Sequence, residues 1–121
     1  MTGQNVLIVE DNDDVRFLLA HRLKRAGLSV SEAINGVNAV EEALRVRPDL
    51  IFIDFRLPDM SGSECVRRIR EKGLESNCVA ITGMDPQMIE DELSSVGVTD
   101  IAQKPFSQKK LNSVLSKYLM I

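Results

Sequence analysis

The sequence predicts an α/β protein, a single-domain (βα)5 fold in which five parallel strands form a doubly wound sheet of order 2-1-3-4-5. Short apolar runs alternate five times with stretches whose apolar residues recur at helical spacing, and the connections are short. The most apolar run, residues 50–53, ends on Asp54 and is broken soon after by Pro58, as expected for a strand buried on both faces. The 121 residues, 44% of them apolar, suffice for one folded domain.

The first three strands and two helices are predicted from apolar runs and helix boundary signals. In chain order they are a strand at 6–9, a helix from a cap at Asn12 or Asp13 to Gly27, a strand at 28–33, a helix at 37–47 and a strand at 50–54. Asparagine and aspartate satisfy free N–H groups at a helix start, and glycine adopts the left-handed turn that ends a helix. The strand at 28–33 has mixed polarity, which predicts an edge position. Asn35-Gly36 marks a turn, and Pro48 ends the second helix.

The second half of the chain continues the alternation. It contains a helix from Ser61 to about Lys72, a strand at 78–82, a helix from Asp85 to about Ser95, a strand at 100–103 and a last helix capped by Ser107. Ser61 and Glu64 form a capping box, in which each side chain reaches a free backbone N–H of the other. Asp85 is a cap that is followed by a first-turn proline. Parallel strands with helices on both faces give a flavodoxin-like architecture.

Composition and charge exclude several classes of protein. A net charge of −3 argues against a duplex-DNA surface and disfavours a membrane partner. No apolar run approaches the roughly 18 residues that suggest a spanning helix. Cys65, Cys78 and His21 are too few and too scattered for a zinc site, so we expect buried or half-buried thiols and a surface histidine. The N-terminus lacks a signal-peptide profile, and we expect a cytoplasmic location.

Four of the five predicted strands end on side chains with functional chemistry. These are Glu10 and Asp11, Asp54, Thr82, and Lys104. The carboxyl ends of parallel strands share one edge of the sheet, where ligands bind. Three carboxylates at one place repel each other, and a hard cation such as Mg²⁺ relieves this repulsion. A carboxylate nucleophile, a metal, a lysine and a hydroxyl are the parts that phosphoryl transfer requires.

The motifs around these residues resemble the receiver domain of two-component response regulators over the whole chain. They are Val9-Glu10-Asp11, Asp54 with Leu57-Pro58-Asp59-Met60-Ser61-Gly62, Thr82-Gly83, and Lys104-Pro105-Phe106. Each motif alone is common, whereas all four in order at the ends of four strands are specific. The resemblance implies one receiver domain over residues 1–121 and no output domain in the chain.

The resemblance implies a phosphoacceptor and a metal site. Asp54 would take a phosphoryl group from the phosphohistidine of a histidine kinase or histidine phosphotransfer protein, without being a turnover enzyme. Asp11 and Asp54 would bind Mg²⁺ directly, Glu10 would act through water, and the Arg56 backbone carbonyl would complete the protein ligands. Arginine at position 56 departs from the small polar residue that is often found there. Its guanidinium can swing toward the carboxylates and form charge-assisted hydrogen bonds, so that it would stand in for the cation in the metal-free state. We therefore expect Arg56 to weaken the apparent Mg²⁺ affinity and, with Met84, to limit water access to the phosphoryl group.

The resemblance also implies a route for the signal. Thr82 would bond the phosphoryl group and report its presence, and Lys104 would pair with a phosphoryl oxygen. A cis bond is expected at Lys104-Pro105, because the family typically has one there. Related receivers commonly carry Tyr or Phe where this chain has Ile101, which has few rotamers and no hydroxyl. We therefore expect phosphorylation to move the fourth helix and its loop at 83–86 more than the last strand. An unidentified downstream protein would recognise the changed surface.

Three other functions compete with this interpretation. A pseudo-receiver, which binds a partner without phosphorylation, would keep the fold, but the intact site residues count against it. A phosphatase of the haloacid dehalogenase type would have a second aspartate two residues after the nucleophile, where this chain has Arg56. An FMN carrier would follow its first strand with a loop rich in Ser, Thr and Gly. Here that loop is Glu10-Asp11-Asn12-Asp13-Asp14, which would repel phosphate.

Overall fold

The computed structural model describes residues 4–119, and their five strands form one parallel sheet. The strands are β1 (Asn5–Val9), β2 (Ser29–Ala33), β3 (Leu50–Asp54), β4 (Asn77–Thr82) and β5 (Asp100–Gln103). Their order is β2-β1-β3-β4-β5, and every neighbouring pair is parallel. The predicted strand order and fold class are therefore confirmed. Within the described residues, no helix combines the length and apolar character needed to cross a membrane.

Five helices and one 3₁₀ turn connect the strands. They are α1 (Asp13–Arg25), α2 (Gly36–Val46), α3 (Gly62–Glu71), the 3₁₀ turn (Pro86–Met88), α4 (Glu90–Ser94) and α5 (Gln108–Leu119). Asn12, Asn35 and Ser61 cap the first three helices, each through a side-chain oxygen that accepts a backbone N–H three residues on. The predicted Asn35-Gly36 turn is thus the beginning of α2.

The central strands divide their side chains between two apolar layers. The layer against α2, α3 and α4 receives Leu7, Val9, Ile51 and Ile53 from β1 and β3. The layer against α1 and α5 receives Val6, Ile8, Leu50 and Phe52. Every residue of β3 is buried, which confirms a strand covered on both faces. Cys65 and Cys78 are buried free thiols and His21 is exposed, as predicted.

The predicted single helix from Asp85 to about Ser95 is wrong. The Asp85 side chain does accept the Gln87 backbone N–H at 3.0 Å, but the turn that it caps is a 3₁₀ turn of three residues. Ile89 then leaves helical geometry, with φ −125° and ψ −2°, and its side chain is buried. Packing of this branched side chain into the core divides the segment and leaves α4 with five residues.

Half of the predicted capping box is also wrong. Ser61 Oγ accepts the Glu64 backbone N–H at 3.1 Å, as predicted. The Glu64 carboxylate, however, pairs with Arg67 and Arg68, whose guanidinium groups offer charge-assisted hydrogen bonds from the next turn. These bonds lower the pKa of Glu64 to about 2.

Candidate functional site

The carboxyl edge of the sheet brings three acidic side chains together. Glu10 and Asp11 follow β1 and Asp54 ends β3, and one carboxylate oxygen of each lies within 4.8 Å of the others. Glu10 is 1% exposed and Asp54 is 7% exposed, whereas Asp11 faces solvent. An oxygen-only set with two carboxylates largely out of water and one open to it fits a hard divalent cation that keeps part of its hydration shell.

Lys104 supplies the positive charge at this cluster. Its Nζ lies 2.7 Å from Glu10 Oε1 and 3.1 Å from Asp54 Oδ2. Its backbone N–H donates to the Thr82 carbonyl at 2.7 Å, and the Lys104-Pro105 bond is cis, as predicted. Burial acts to lower the pKa of Lys104, but the hydrogen bonds to Glu10 and Asp54 outweigh it and the pKa is raised. The ammonium therefore stays charged and offsets the repulsion between two carboxylates.

The Glu10 carboxyl group has a raised pKa. Burial raises its pKa to about 7, although the Lys104 ammonium and the Asn12 backbone N–H act in the opposite direction. The Asn12 N–H donates to Glu10 Oε2 at 3.1 Å, so each carboxylate oxygen has its own partner. Because little water surrounds this carboxylate, its charged form depends mainly on nearby positive charge, which the Lys104 ammonium supplies and a metal ion would also supply.

The two oxygens of Asp54 also have different partners. Oδ1 accepts the Arg56 backbone N–H at 3.1 Å, and Oδ2 contacts Lys104. Thr82 is buried at the end of β4, and its Oγ1 accepts the Met84 backbone N–H at 2.9 Å. The threonine hydroxyl is thus tied to the loop that leads to the 3₁₀ turn.

The predicted direction of the Arg56 side chain is wrong. Its Nε donates to the Met84 sulfur at 3.3 Å rather than to the acidic cluster. Across residues 4–119, the cation that contacts Glu10 and Asp54 is the ammonium of Lys104. Lys104 directly follows β5, which β4 separates from β3 in the sheet, and its compact ammonium already occupies the role that we expected the guanidinium to take. The role expected of the Arg56 backbone carbonyl, and the effects expected of Arg56 on Mg²⁺ affinity and, with Met84, on water access, stay predictions.

Arg16 is a contributor to the site that the sequence pattern did not reveal. The residue is 7% exposed, and its guanidinium donates to the Glu10 carbonyl oxygen at 3.0 Å. It also pairs with Asp13 at 2.6 Å and with Glu32 at 2.9 Å. These contacts fix the turn between β1 and α1, which carries Glu10. The only signal for this role in the sequence is an arginine near the start of the helix that follows Glu10 and Asp11. An arginine in such a place is usually exposed to solvent, so the signal is weak.

Ile101 and Asp100 lie on the strand next to Thr82. Ile101 is half-buried and packs against the layer of α2, α3 and α4. The Asp100 carboxylate accepts hydrogen bonds from Lys117 at 2.8 Å and from the Tyr118 hydroxyl. The polar group at Asp100 is therefore a link between β5 and α5. The role of Ile101 in switching stays a prediction.

Comparison with known proteins assigns the chain to a family. Residues 6–116 match the family model of the response regulator receiver domain. This chain belongs to the response regulator receiver domain family. It is therefore a domain of two-component and phosphorelay signalling, as the sequence motifs predicted.

Individual receiver domains show the same relationship. The chain is 30% identical to the chemotaxis protein CheY of Thermotoga maritima, over 95% of this chain and 97% of that protein. It is 31% identical to the receiver domain of a sensor histidine kinase of Pseudomonas aeruginosa, with a TM-score of 0.86 over 98% of this chain and 99% of that one. That structure holds a magnesium ion coordinated in the active site cleft.

A third similar receiver was solved with a partner. It is the receiver domain of a Saccharomyces cerevisiae response regulator, in a co-crystal with the histidine phosphotransfer signalling protein upstream of it. The identity is 29% and the TM-score 0.85, over 97% of this chain and 89% of that one. Receivers from bacteria and yeast thus share this chain's fold over nearly its full length.

Proposed function

We propose that this receiver domain is a phosphoacceptor switch of a two-component system or phosphorelay. Asp54 takes a phosphoryl group from a phosphohistidine in a Mg²⁺-dependent reaction, and the new contacts of that group change a protein-binding surface. The observation that carries the proposal is the cluster of Glu10, Asp11 and Asp54 oxygens within 4.8 Å, with the Lys104 ammonium against Asp54. This set combines a nucleophile with groups for both a metal and an anionic phosphoryl oxygen.

The metal site would use oxygen ligands alone. Asp11 and Asp54 would bind Mg²⁺ directly, Glu10 would act through water, and the Arg56 carbonyl would be a further ligand. When bound, the ion would offset negative charge on the phosphoryl oxygens. The Pseudomonas aeruginosa receiver, which has a magnesium ion in its active site cleft, supports this assignment.

The transfer itself is a single displacement. A carboxylate oxygen of Asp54 attacks phosphorus, the phosphorus–nitrogen bond of the donor breaks, and the imidazole leaves with the electron pair. Lys104 contacts Asp54 at 3.1 Å and is within reach of oxygens that the transfer places on that carboxylate. Thr82, at the end of the adjacent β4, would donate its hydroxyl hydrogen to the phosphoryl group. A shift of Oγ1 toward that group would lengthen the hydrogen bond that it accepts from the Met84 N–H. The phosphoryl group stays on Asp54 of the domain itself, so the domain would act as a switch and not as a turnover enzyme.

The donor would be a histidine kinase or a histidine phosphotransfer protein. The yeast receiver that was solved with a histidine phosphotransfer protein supports this class of partner. A pseudo-receiver would be expected to lack part of the acidic cluster or the lysine. Because Glu10, Asp11, Asp54 and Lys104 are all present and close together, no observation favours that alternative.

Labelling with acetyl phosphate tests the proposal. We expect one phosphoryl group per chain in the presence of Mg²⁺, and little incorporation with a chelator or in Asp54→Asn. The matched control is Asp14→Asn, which changes an exposed acid in the first turn of α1, close in sequence to Glu10 and Asp11. This variant should be labelled to the same extent as the wild type. Intact-protein mass spectrometry gives the stoichiometry. Equal incorporation in wild type and Asp54→Asn would refute the assignment of the acceptor.

A further inference from the structure

The loop at residues 55–61, called here the acceptor loop, leaves β3 directly after the proposed phosphoacceptor. Its two ends are close together. Arg56 faces Ser61 in an isolated antiparallel bridge, and the Gly62 N–H donates to the Phe55 carbonyl at 2.6 Å. The base of the loop is therefore closed by backbone pairing. The Leu57 N–H also donates to the Met60 carbonyl at 3.1 Å, so the acceptor loop is a short hairpin. A hairpin of this kind can still tilt as a unit relative to the sheet.

Asp59 fastens the far end of the acceptor loop to α2. Its Oδ1 accepts the Gly36 N–H at 2.7 Å, and its Oδ2 accepts the Val37 N–H at 3.0 Å. These are the first two residues of α2, whose N–H groups have no partner within the helix. The carboxylate also lies at the positive end of the helix dipole. The two backbone bonds lower the pKa of Asp59, so the group is charged at neutral pH.

Packing supports the same junction. The Met60 side chain occupies the space beside Gly36 where a side chain would otherwise be, so a Cβ at that position would overlap its thioether. Gly36 is buried as a result. The acceptor loop thus contacts the start of α2 through two hydrogen bonds and one close apolar contact.

The helix has a cap of its own that does not involve the loop. Asn35 Oδ1 accepts the Asn38 N–H at 2.8 Å. The bonds from Asp59 are therefore an addition to an already capped helix, made by a residue 23 positions further along the chain. Their distinctive effect falls on the loop, which they anchor to a rigid element. Asp59 is three residues from Arg56, whose N–H contacts Asp54 at 3.1 Å.

We propose that Asp59 is a positioning residue for the metal site. By anchoring the acceptor loop to α2, it would hold the Arg56 backbone in place and keep the Arg56 carbonyl available as the Mg²⁺ ligand proposed above. The inference rests on the proposed function, because it assigns the orientation of a ligand for the proposed metal. Groups that orient a metal ligand commonly change metal affinity about 10–100-fold when they are removed.

A pair of matched variants separates this role from simple helix capping. Asp59→Ala and Asn35→Ala each remove a side-chain cap of α2, and only Asp59→Ala releases the acceptor loop. Mg²⁺ dissociation constants are measured by calorimetry and by amide chemical shifts, and thermal unfolding is recorded for every variant. We expect about tenfold weaker Mg²⁺ binding in Asp59→Ala, the lower end of the range for such groups. Asn35→Ala should match the wild type, and Asp59→Asn, which keeps one acceptor oxygen, should lie between.

A second measurement checks that the effect passes through the metal. At saturating Mg²⁺, Asp59→Ala should be labelled by acetyl phosphate at the wild-type rate, because Asp54, Thr82 and Lys104 are unchanged. Equal Mg²⁺ affinities in Asp59→Ala and Asn35→Ala, or a labelling defect that persists at saturating Mg²⁺, would overturn the positioning role. If the wild type itself binds no Mg²⁺, the proposed function fails first, so the two failures are distinguishable.

Discussion

Gly62, the first residue of α3, has no room for a side chain. A Cβ atom there would lie 2.6 Å from the Asp54 carbonyl oxygen and 3.0 Å from Phe55 Cα, whereas ordinary contact begins near 3.4 Å. The backbone after the proposed phosphoacceptor would have to move by about 0.8 Å, the difference between these contact distances. Neither atom belongs to a flexible side chain, so the strain cannot be relieved by a rotamer change.

The expected cost of Gly62→Ala follows from two opposing effects. Overpacking of this kind costs about 1–3 kcal/mol. Alanine in place of glycine in a helix returns up to about 1 kcal/mol. Because both contacted atoms belong to the backbone, the overpacking cost should lie at the upper end, about 3 kcal/mol, and we expect the free energy of unfolding, measured with urea, to fall by about 2 kcal/mol. Because the displaced atoms join Asp54 to the acceptor loop, Mg²⁺ affinity should fall as well.

Gly83→Ala is the matched control on the other side of the site. Gly83 follows Thr82, and a Cβ there meets open space. Alanine at a compatible position stabilises by about 0.4–1 kcal/mol, because it restricts the unfolded chain. The two substitutions should thus shift the urea midpoint in opposite directions. A Gly62→Ala protein with wild-type stability and wild-type Mg²⁺ affinity would refute the argument from close approach.

Three further predictions concern pH, the buried arginine and the switch. Asp59→Asn should be about 0.3–1 kcal/mol less stable at pH 7, because it removes a negative charge from the start of α2 at an exposed side chain. The pKa of Asp59 is lowered from 3.8, so the difference should be constant well above pH 3.8 and shrink as the pH falls below it; a difference that grows on acidification in urea titrations would contradict it. Arg16→Ala should lower the free energy of unfolding, measured with urea, by about 2 kcal/mol, because hydrogen bonds to charged groups are lost. Arg25→Ala, at an exposed position, should change it by less than about 0.5 kcal/mol, and equal effects of the two substitutions would contradict a structural role for Arg16. On addition of beryllofluoride, amide shifts should be larger at residues 83–93 than at 101–103, and the reverse pattern would refute the expected route.

Most of the fold could be predicted because local patterns and tertiary structure agree. Apolar runs of strand length, caps at Asn12 and Ser61, and short connections all favour one parallel sheet, and the structure has it. The α4 segment could not be predicted in the same way. Its cap and proline favour one continuous helix, and the interruption comes from the burial of Ile89, which depends on the surrounding core.

The residues of the site were predictable for a topological reason, whereas their contacts were not. Side chains at the ends of parallel strands converge, so Glu10, Asp54 and Lys104 could be placed together before their distances were known. The choice of Lys104 as the bridging cation depends on side-chain geometry. The Arg16–Glu32 and Asp59–Gly36 contacts join residues that lie 16 and 23 positions apart, and no helical or strand periodicity connects such positions.

The brevity of α4 has a consequence for the way in which this domain opens. A helix of five residues spans about 7.5 Å, and isolated helices of fewer than about 12 residues are marginal in water. What keeps α4 folded is therefore its attachment to the rest of the protein, through buried Ile89 and Leu93 and the hydrogen bond from Ser63 to Glu92. We expect its amide hydrogens to exchange with solvent through a local opening whose free energy is lower than that of global unfolding. The amide hydrogens of β1 and β3 should exchange only when the whole domain unfolds. The element next to the Thr82 loop is thus also the one whose unfolding leaves the central sheet intact.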